Sequence, residues 1–343
     1  MIEFVQFRNF RVLRDTTLPL SRFTLILGPN GSGKSTALQA LENVKNRFSG
    51  SGGWARFEQV ITTGVAISEA TEVEVLLRWS APCAGTSTHI FWSQSIPEST
   101  VKHVNFEGEG PSPQDDALLS AMLARIRVYF LDATQIAARV QLEPSMELGR
   151  GGAYLAGVLD RLRDDAPERF KALNEEWGRW LPEFDQILFD TLGGGVRAFR
   201  LRTRQGHYAV PATDLSQGTL LALAILTLAY LPNPPSMVCF EEPDRGIHPR
   251  LLRDVQDALY RLSYPESFGE TRPSVQVLAT THSPYFLDLY RDHPEEVVIA
   301  SRIGQEARFE RLSDRRDLEE ILGDAPLSEV WYSGILGGVP AEP

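Results

Sequence analysis

A glycine-rich segment near the N-terminus constrains the fold of this chain more than any other feature. Residues 28–35 read Gly-Pro-Asn-Gly-Ser-Gly-Lys-Ser and match the pattern G-x-x-x-x-G-K-S. An apolar strand is predicted before them at Phe23–Leu27, and a helix is predicted after them at residues 35–48. Such a loop points its backbone N–H groups inward and has the positive end of a helix dipole behind it, so it binds phosphate. We therefore predict a P-loop nucleotide site, because a chance glycine turn would not combine these flanks with Lys-Ser in register.

The residue types within this phosphate loop predict distinct roles for its members. Lys34 supplies a positive charge to the β- and γ-phosphates and counts as a catalytic residue, while the Ser35 hydroxyl is a Mg²⁺ ligand. The other predicted nucleotide contacts are Asn30, Gly31, Ser32, Gly33 and Thr36. The loop therefore predicts ATP and Mg²⁺ as cofactors.

A second candidate feature is the apolar strand predicted at residues 237–240, which is followed by Glu241 and Glu242. Ligands of α/β proteins bind at the carboxyl edge of the parallel sheet. At that edge one carboxylate can hold Mg²⁺ and the next can orient an attacking water. Taken alone, a strand ending in Glu-Glu-Pro is usually a strand that leaves the core into a solvated turn. The phosphate loop in the same chain favours the catalytic interpretation.

Two further segments have both a functional and a structural interpretation. Ser216 and Gly218 precede an apolar helix, whose N-terminal N–H groups form a second anion site, although in isolation Ser216 is better explained as an N-cap. His282 follows a predicted strand at residues 275–279, at the same sheet edge as the acids. It is placed to reach a γ-phosphate there, although a lone histidine is more often structural.

The order of the predicted elements indicates the fold class. Helices and strands alternate from residue 219 to 279, which favours a mostly parallel sheet with helices on its faces. Alternating apolar residues at 73–79 and 90–92 predict antiparallel strands, and residues 154–180 have helical periodicity. Residues 107–116 are acidic and contain Pro and Gly, so we predict a surface loop there.

Bulk composition excludes several classes of function. The net charge of -11 and sequence pI of about 5.2 give no overall attraction to nucleic acid, so any DNA contact requires a local basic patch. Cys83 and Cys239 have no spacing typical of a disulfide framework or a zinc site. The charged N-terminus does not resemble a signal peptide, and the apolar stretch at 220–232 is too short to span a bilayer. We expect a soluble, cytoplasmic protein without a membrane partner.

One local basic feature is a row of arginines on a predicted strand. Arg200, Arg202 and Arg204 alternate along it, and Arg197 lies near its start. A solvated sheet face of an acidic protein is the favoured interpretation. The alternative is a contact with the DNA phosphate backbone, which needs clustered guanidinium groups but no sequence readout.

In this order, the segments resemble the ABC-type ATPases of the RecF/SMC/OLD branch, in particular its stand-alone ATPases. The resemblance covers nearly the whole chain, from Phe-Arg-Asn-Phe-Arg at residues 7–11 through residues 242–249 to residues 330–334. It implies an α/β P-loop NTPase, an ABC-type ATPase head with a mixed sheet, an antiparallel β subdomain and a helical subdomain. The implied lobes of this single head are a nucleotide-binding lobe (1–135 and 236–343) and a helical signature lobe (136–235).

The resemblance also implies an assembly and a set of residue roles. Two copies would form a head-to-tail homodimer with two ATPs between them, Lys34 and Ser35 of one copy facing Ser216 and Gly218 of the other. His248 matches a position that communicates across this interface.

Further roles implied by the resemblance concern the reaction itself. Glu242 would be the general base, Glu241 the metal-side acid and His282 the γ-phosphate switch. This chain departs from the wider family in having Glu241 where most members have Asp, and in reading Leu-Ser-Gln-Gly-Thr at its signature. Its Mg²⁺-sensing glutamine is not evident, and Gln59 is the best candidate.

Three classes of function remain open at this stage. The first is an ATP-dependent sensor or regulatory subunit that acts on DNA or on a nuclease or toxin effector encoded nearby, as in antiphage defence. The second is a RecF-like DNA-repair ATPase, and the third, disfavoured by the signature, is the nucleotide-binding subunit of a transporter. We expect no intrinsic nuclease activity, because the segment after His282 is too short for an acid-rich nuclease domain.

Overall fold

The computed structural model describes residues 1–50, 55–61, 72–93, 96–104, 110–304, 306–323 and 325–336. The chain divides into two compact units. Unit 1 consists of Met1–Val128, Pro235–Cys239 and Ser274–Pro343. Unit 2 consists of Tyr129–Pro234 and Phe240–Pro273.

Strands and helices are numbered here in chain order. The strands are β1 (Ile2–Phe10), β2 (Leu13–Pro19), β3 (Phe23–Leu27), β4 (Glu72–Trp79), β5 (Ser87–Ser93), β6 (Ile96–Val104), β7 (Ile126–Tyr129), β8 (Val140–Gln141), β9 (Phe184–Leu192), β10 (Val196–Thr203), β11 (Ala209–Pro211), β12 (Met237–Glu241), β13 (Gln276–Thr281), β14 (Val297–Ile303) and β15 (Glu306–Arg311). The helices are α1 (Lys34–Ser49), α2 (Phe57–Val60), α3 (Pro113–Ala124), α4 (Ala133–Ile136), α5 (Leu155–Asp165), α6 (Pro167–Trp180), α7 (Gln217–Tyr230), α8 (Leu252–Ser263), α9 (Pro284–Asp288), α10 (Leu318–Ile321) and α11 (Leu327–Tyr332).

Unit 1 contains an antiparallel sheet in the order β2-β1-β4-β5-β6. The alternating sequence of β1 explains its two faces, since Val5 and Phe7 are buried while Arg8 is exposed. Strands β4 and β5 confirm the antiparallel strands predicted at residues 73–79 and 90–92.

The second sheet of unit 1 is mixed and carries the phosphate loop. Its order is β15-β14-β3-β13-β12-β7. Strand β3 lies between β13 and β14 and is parallel to both, and its five residues are all buried, which explains their continuous apolar run. The register places Leu27 opposite Thr281 of β13 and Ile299 of β14. The residues that follow Leu27 therefore lie beside those that follow Thr281 and Ile299.

Unit 2 contains helices α5 to α8 and the antiparallel strands β8 to β11, with β10 pairing β8, β9 and β11. Helix α7 is buried over nearly its whole length, as its apolar composition requires. The helical stretch predicted at 154–180 is two helices, because Pro167 starts a new helix at α6. Among the described residues, no helix is both long and apolar enough to cross a membrane.

The surface loop predicted at 107–116 is wrong at its C-terminal end. Helix α3 begins at Pro113, and the Ser112 hydroxyl caps it by accepting a hydrogen bond from the Asp115 backbone N–H at 3.2 Å. A Ser-Pro start followed by acids is a helix N-terminus signature that outweighs the loop-like composition. Residues 107–109 of the predicted loop lie outside the described residues.

Candidate nucleotide-binding site

The phosphate loop connects β3 to α1 in unit 1, and its glycines are required by its backbone. Gly31 and Gly33 have φ values of 78° and 96°, in the left-handed region that other residues avoid. Gly28 is required for a different reason, because a Cβ atom there would lie 2.3 Å from the carbonyl oxygen of Ala300. The glycines of the loop are therefore required for two different steric reasons.

Lys34 is the first residue of α1, and its side chain turns back over the loop. Its Nζ donates hydrogen bonds to the carbonyl oxygens of Gly28 at 2.7 Å and Pro29 at 2.9 Å. Lys34 is only 6% exposed, so its positive charge is held within the loop. Ser35 and Thr36 follow in the first turn of α1 and are half-buried. This geometry suits an anion bound at the N-terminus of α1.

His282 lies at the same edge of the mixed sheet as the phosphate loop. Because Thr281 is opposite Leu27, His282 and Gly28 are the next residues on neighbouring parallel strands. The hydroxyl of Thr281 accepts a hydrogen bond from the Ser283 backbone N–H at 2.9 Å, which fixes the turn that carries His282. Unit 1 thus brings two of the sequence-predicted features together.

Gln59 lies on the short helix α2, where its side chain bonds to its own helix. The Gln59 carbonyl Oε1 accepts a hydrogen bond from the Arg56 backbone N–H at 2.9 Å, and the residue is exposed. Arg11, in the β1–β2 turn, donates from Nε to the Gln59 backbone carbonyl at 3.0 Å and also bonds the side chain of Gln39 on α1. The link that Arg11 makes between α2 and α1 was not predicted from the sequence. The Mg²⁺-sensing role of Gln59 stays a prediction.

Glu241 and Glu242 belong to unit 2. Glu241 is the last residue of β12, and Glu242 has a left-handed backbone with φ 49°, which is uncommon for a glutamate. Its backbone carbonyl accepts a hydrogen bond from the Arg245 N–H at 3.0 Å. In the next turn, the Ile247 N–H donates a hydrogen bond to the Asp244 carbonyl at 3.1 Å. Such backbone strain persists where the surrounding structure imposes it, often at functional sites.

Ser216 and Gly218 lie at the N-terminus of α7, also in unit 2. The Ser216 hydroxyl caps the helix by accepting a hydrogen bond from the Thr219 N–H at 3.2 Å, and it is exposed. Gly218 is buried against the loop that follows Glu242, because a Cβ on Gly218 would lie 2.5 Å from the carbonyl oxygen of Gly246. Unit 2 therefore joins the signature segment to the loop of the candidate general base, a contact that sequence reasoning missed.

The row of arginines on β10 is largely neutralised by carboxylates. The ion pairs and their N–O distances are Arg197–Asp160 at 3.1 Å, Arg200–Asp190 at 2.7 Å and Arg202–Asp185 at 2.8 Å. The hydrogen bond from Arg202 holds the pKa of Asp185 below its usual value. Charge compensation of this kind favours the solvated-face interpretation over a phosphate contact.

The fold and the loop together define a class of protein. Strand β3 is a buried strand of a mixed sheet, and it is followed by a G-x-x-x-x-G-K-S loop and helix α1. This strand–loop–helix arrangement defines a P-loop NTPase. The accompanying antiparallel sheet and helical unit match the ABC-type ATPase head expected from the sequence.

Comparisons with known proteins agree with this class. The family model "AAA ATPase domain" matches residues 1–110, and the model "AAA domain, putative AbiEii toxin, Type IV TA system" matches residues 102–288. The second match covers more than half of the chain, and the chain belongs to that family.

A relative and a solved structure extend the comparison. An OLD nuclease from Thermus scotoductus (strain ATCC 700910 / SA-01) is 26% identical over 331 residues, which are 85% of this chain and 60% of the relative. This chain therefore spans only about 60% of that relative's length. The crystal structure of an SmcHead bound to the C-winged helix domain of ScpA has a TM-score of 0.64 at 17% identity, covering 90% of this chain and 96% of the other. Together with the family matches, they confirm the resemblance to ABC-type ATPases of the RecF/SMC/OLD branch.

Proposed function

We propose that this chain binds and hydrolyses ATP with Mg²⁺ as a sandwich homodimer and regulates a partner effector or acts on DNA, in the manner of an antiphage defence system. The observation that carries the proposal is the phosphate loop with Lys34 held 2.7 Å from the Gly28 carbonyl. We also propose that the protein is cytoplasmic. The proposal keeps the two lobes predicted from the sequence, which are the nucleotide-binding lobe (1–135 and 236–343) and the helical signature lobe (136–235).

The residues of the phosphate loop fit the phosphates of ATP, and the Ser35 hydroxyl fits a Mg²⁺ bound to them. The loop offers the backbone N–H groups of Asn30 to Gly33, the Lys34 ammonium and the N-terminus of α1 to phosphate oxygens. Mg²⁺ is usually held by one or two side chains together with the nucleotide's phosphates. The Ser35 hydroxyl and the Glu241 carboxylate are the proposed side chains. In the part of the chain that the structure describes, no cluster of His, Cys, Asp and Glu would hold a metal alone, in keeping with such a shared site.

Hydrolysis would assign one role to each remaining residue. Glu242 would accept the proton of the attacking water, as a general base does. His282, at the sheet edge beside the loop, would hydrogen-bond the γ-phosphate. Lys34 would neutralise charge that develops on the phosphates during transfer.

The homodimer is supported by the second anion-binding helix end. The N-terminus of α7 carries the exposed Ser216, and its backbone N–H groups can bind a phosphate. In the proposed sandwich, Ser216 and Gly218 of one copy bind the γ-phosphate held by the loop of the other copy.

The proposed effector role is supported by similar proteins. The matching family includes a putative AbiEii toxin of a type IV toxin–antitoxin system, and the relative from Thermus scotoductus is an OLD nuclease. We propose that a nuclease or toxin partner carries the output of the ATPase cycle. A RecF-like repair ATPase is the second candidate, which the RecF/SMC/OLD resemblance favours over a transporter subunit.

The trapped dimer of Glu242→Gln tests the proposal. Glutamine keeps the shape of the side chain but cannot accept a proton, so hydrolysis should slow by roughly 10²–10⁴-fold. ATP binding should survive, because Lys34 and the loop are unchanged. The variant should therefore accumulate as a dimer when ATP is added, as measured by light scattering after size-exclusion chromatography.

A second substitution is the matched control for the interface. Ser216→Arg in the Glu242→Gln background adds bulk and charge at the N-terminus of α7, so it should abolish the ATP-dependent dimer without abolishing ATP binding. A Glu242→Gln protein that binds ATP tightly and stays monomeric at every nucleotide concentration would exclude the sandwich.

A further inference from the structure

The β14–β15 hairpin runs alongside the phosphate loop. Since Ile299 is opposite Leu27, the residues of β14 after Ile299 lie beside the loop rather than beside β3. Strand β15 returns antiparallel, with Ala307 opposite Arg302. Ala307 also donates its backbone N–H to the carbonyl of Val12 at 3.2 Å, which attaches the hairpin to the β1–β2 region.

Three residues on one face of this hairpin contact the loop glycines in turn. A Cβ on Gly28 would lie 2.9 Å from the Cβ of Ala300, and a Cβ on Gly33 would lie 2.8 Å from the Cβ of Ala307. Between them, the guanidinium Nη1 of Arg302 lies 3.6 Å from the Cβ position of Gly31. The hairpin thus places a charged group against the middle of the loop.

Arg302 differs from the arginines of β10 in its partners. Its Nε donates to the carbonyl of Gly304 at 3.0 Å, which orients the guanidinium group, and the residue is exposed. Among the described residues, no carboxylate lies within ion-pair distance of Arg302, whereas Arg200 and Arg202 are both paired. Within the described part of the chain, its positive charge therefore has no carboxylate partner beside the loop.

We propose that Arg302 is a second cationic contact for the polyphosphate of the nucleotide. Lys34 would bind phosphate oxygens from within the loop, and Arg302 would bind them from the hairpin side at Gly31. A guanidinium group suits this role because its planar fork donates two parallel hydrogen bonds to phosphate oxygens. The inference rests on the proposed ATP binding and adds a residue to that same site.

The test measures binding of Mg-ATP and Mg-ADP to Arg302→Ala, Arg302→Lys and Lys34→Ala by isothermal titration calorimetry. Loss of one charge-assisted hydrogen bond should raise the Kd of both nucleotides about tenfold or more in Arg302→Ala. Arg302→Lys should recover part of the affinity, because it restores the charge but not the fork. Circular dichroism would verify that each variant is folded.

Arg308→Ala is the matched control. Arg308 is exposed on β15 and is opposite Ser301, so it lies on the other face of the same hairpin. Its removal subtracts the same charge and should leave both Kd values unchanged. A folded Arg302→Ala with wild-type Kd values would overturn the inference, and so would an equal loss in Arg308→Ala. If the wild type itself binds no ATP, the proposed function fails instead.

Discussion

Gly218→Ala should slow ATP hydrolysis by displacing the loop that follows Glu242, the proposed general base. The added Cβ would lie 2.5 Å from the carbonyl oxygen of Gly246 and 3.3 Å from the Cα of Ile247. Both are backbone atoms, so no flexible side chain can move aside. The contact must open to at least 3.0 Å, and ordinary van der Waals contact begins at 3.4 Å. The Gly246 segment must therefore move by about 0.5–1 Å.

The displacement reaches Glu242 because hydrogen-bonded turns connect the two residues. Arg245 bonds the Glu242 carbonyl, and Ile247 bonds the Asp244 carbonyl. A misplacement of about 1 Å can cost roughly 10²-fold in rate, so we expect kcat to fall about 10- to 100-fold. Overpacking should also lower the free energy of unfolding by about 1–3 kcal/mol. Binding of ATP to the phosphate loop of the monomer should change little, since that loop belongs to unit 1.

The assay is steady-state phosphate release, with nucleotide affinity measured on the same samples at a temperature where all variants are folded. Gly193→Ala is the matched control in unit 2, because a Cβ on Gly193 meets no atom within 4 Å. Gly193→Ala should retain the wild-type kcat. The reasoning is refuted if Gly218→Ala keeps a kcat within about twofold of the wild type while remaining folded, or if the control loses as much.

Two further predictions concern the charged groups. Lys34→Ala should abolish ATP turnover in a folded protein, because the β- and γ-phosphates lose the cation held over Gly28. Turnover is measured as phosphate release, and unchanged turnover would place the active site elsewhere. Replacing Arg200 and Arg202 together by Gln should leave any weak DNA binding and its salt dependence close to those of the wild type, because Asp190 and Asp185 already compensate these two charges. A large loss of affinity in fluorescence anisotropy would restore the phosphate-contact interpretation.

The parts of the fold that follow from local signals were predictable. The glycine spacing between an apolar strand and a helix predicts the phosphate loop. The structure has strand β3 before this loop and helix α1 after it. Helix α7 and strands β12 and β13 lie within a few residues of their predicted positions, because long apolar runs between turn residues leave few alternatives. Element ends were less predictable, as α3 illustrates, because a single cap residue decides them.

The contacts that the sequence did not predict depend on sheet register and backbone approach. Arg302 meets Gly31 only because β14 pairs with β3, and no local pattern specifies which distant strand will be the neighbour. The packing of Gly218 on Gly246 likewise joins segments through backbone atoms, which have no side-chain signature. The neutralisation of Arg202 by Asp185 requires the register of β9 on β10. The apolar run at the start of β14 and the glycine at 304 were a usable hairpin signal.

The pairing of β3 with β13 and β14 also has a consequence for how the protein folds during its synthesis on the ribosome. Phe23 pairs with Val277 and Leu25 pairs with Val297, so the strand that leads into the phosphate loop has neither neighbour until most of the chain has been made. At typical synthesis rates of about 5–20 residues per second, that interval lasts on the order of tens of seconds. During this interval, β3 has unpaired backbone groups and exposed apolar side chains, and the phosphate loop is not yet held in place by its neighbouring strands. Nucleotide binding is therefore a late event of biosynthesis. A chain truncated before β13 should not bind to an ATP resin.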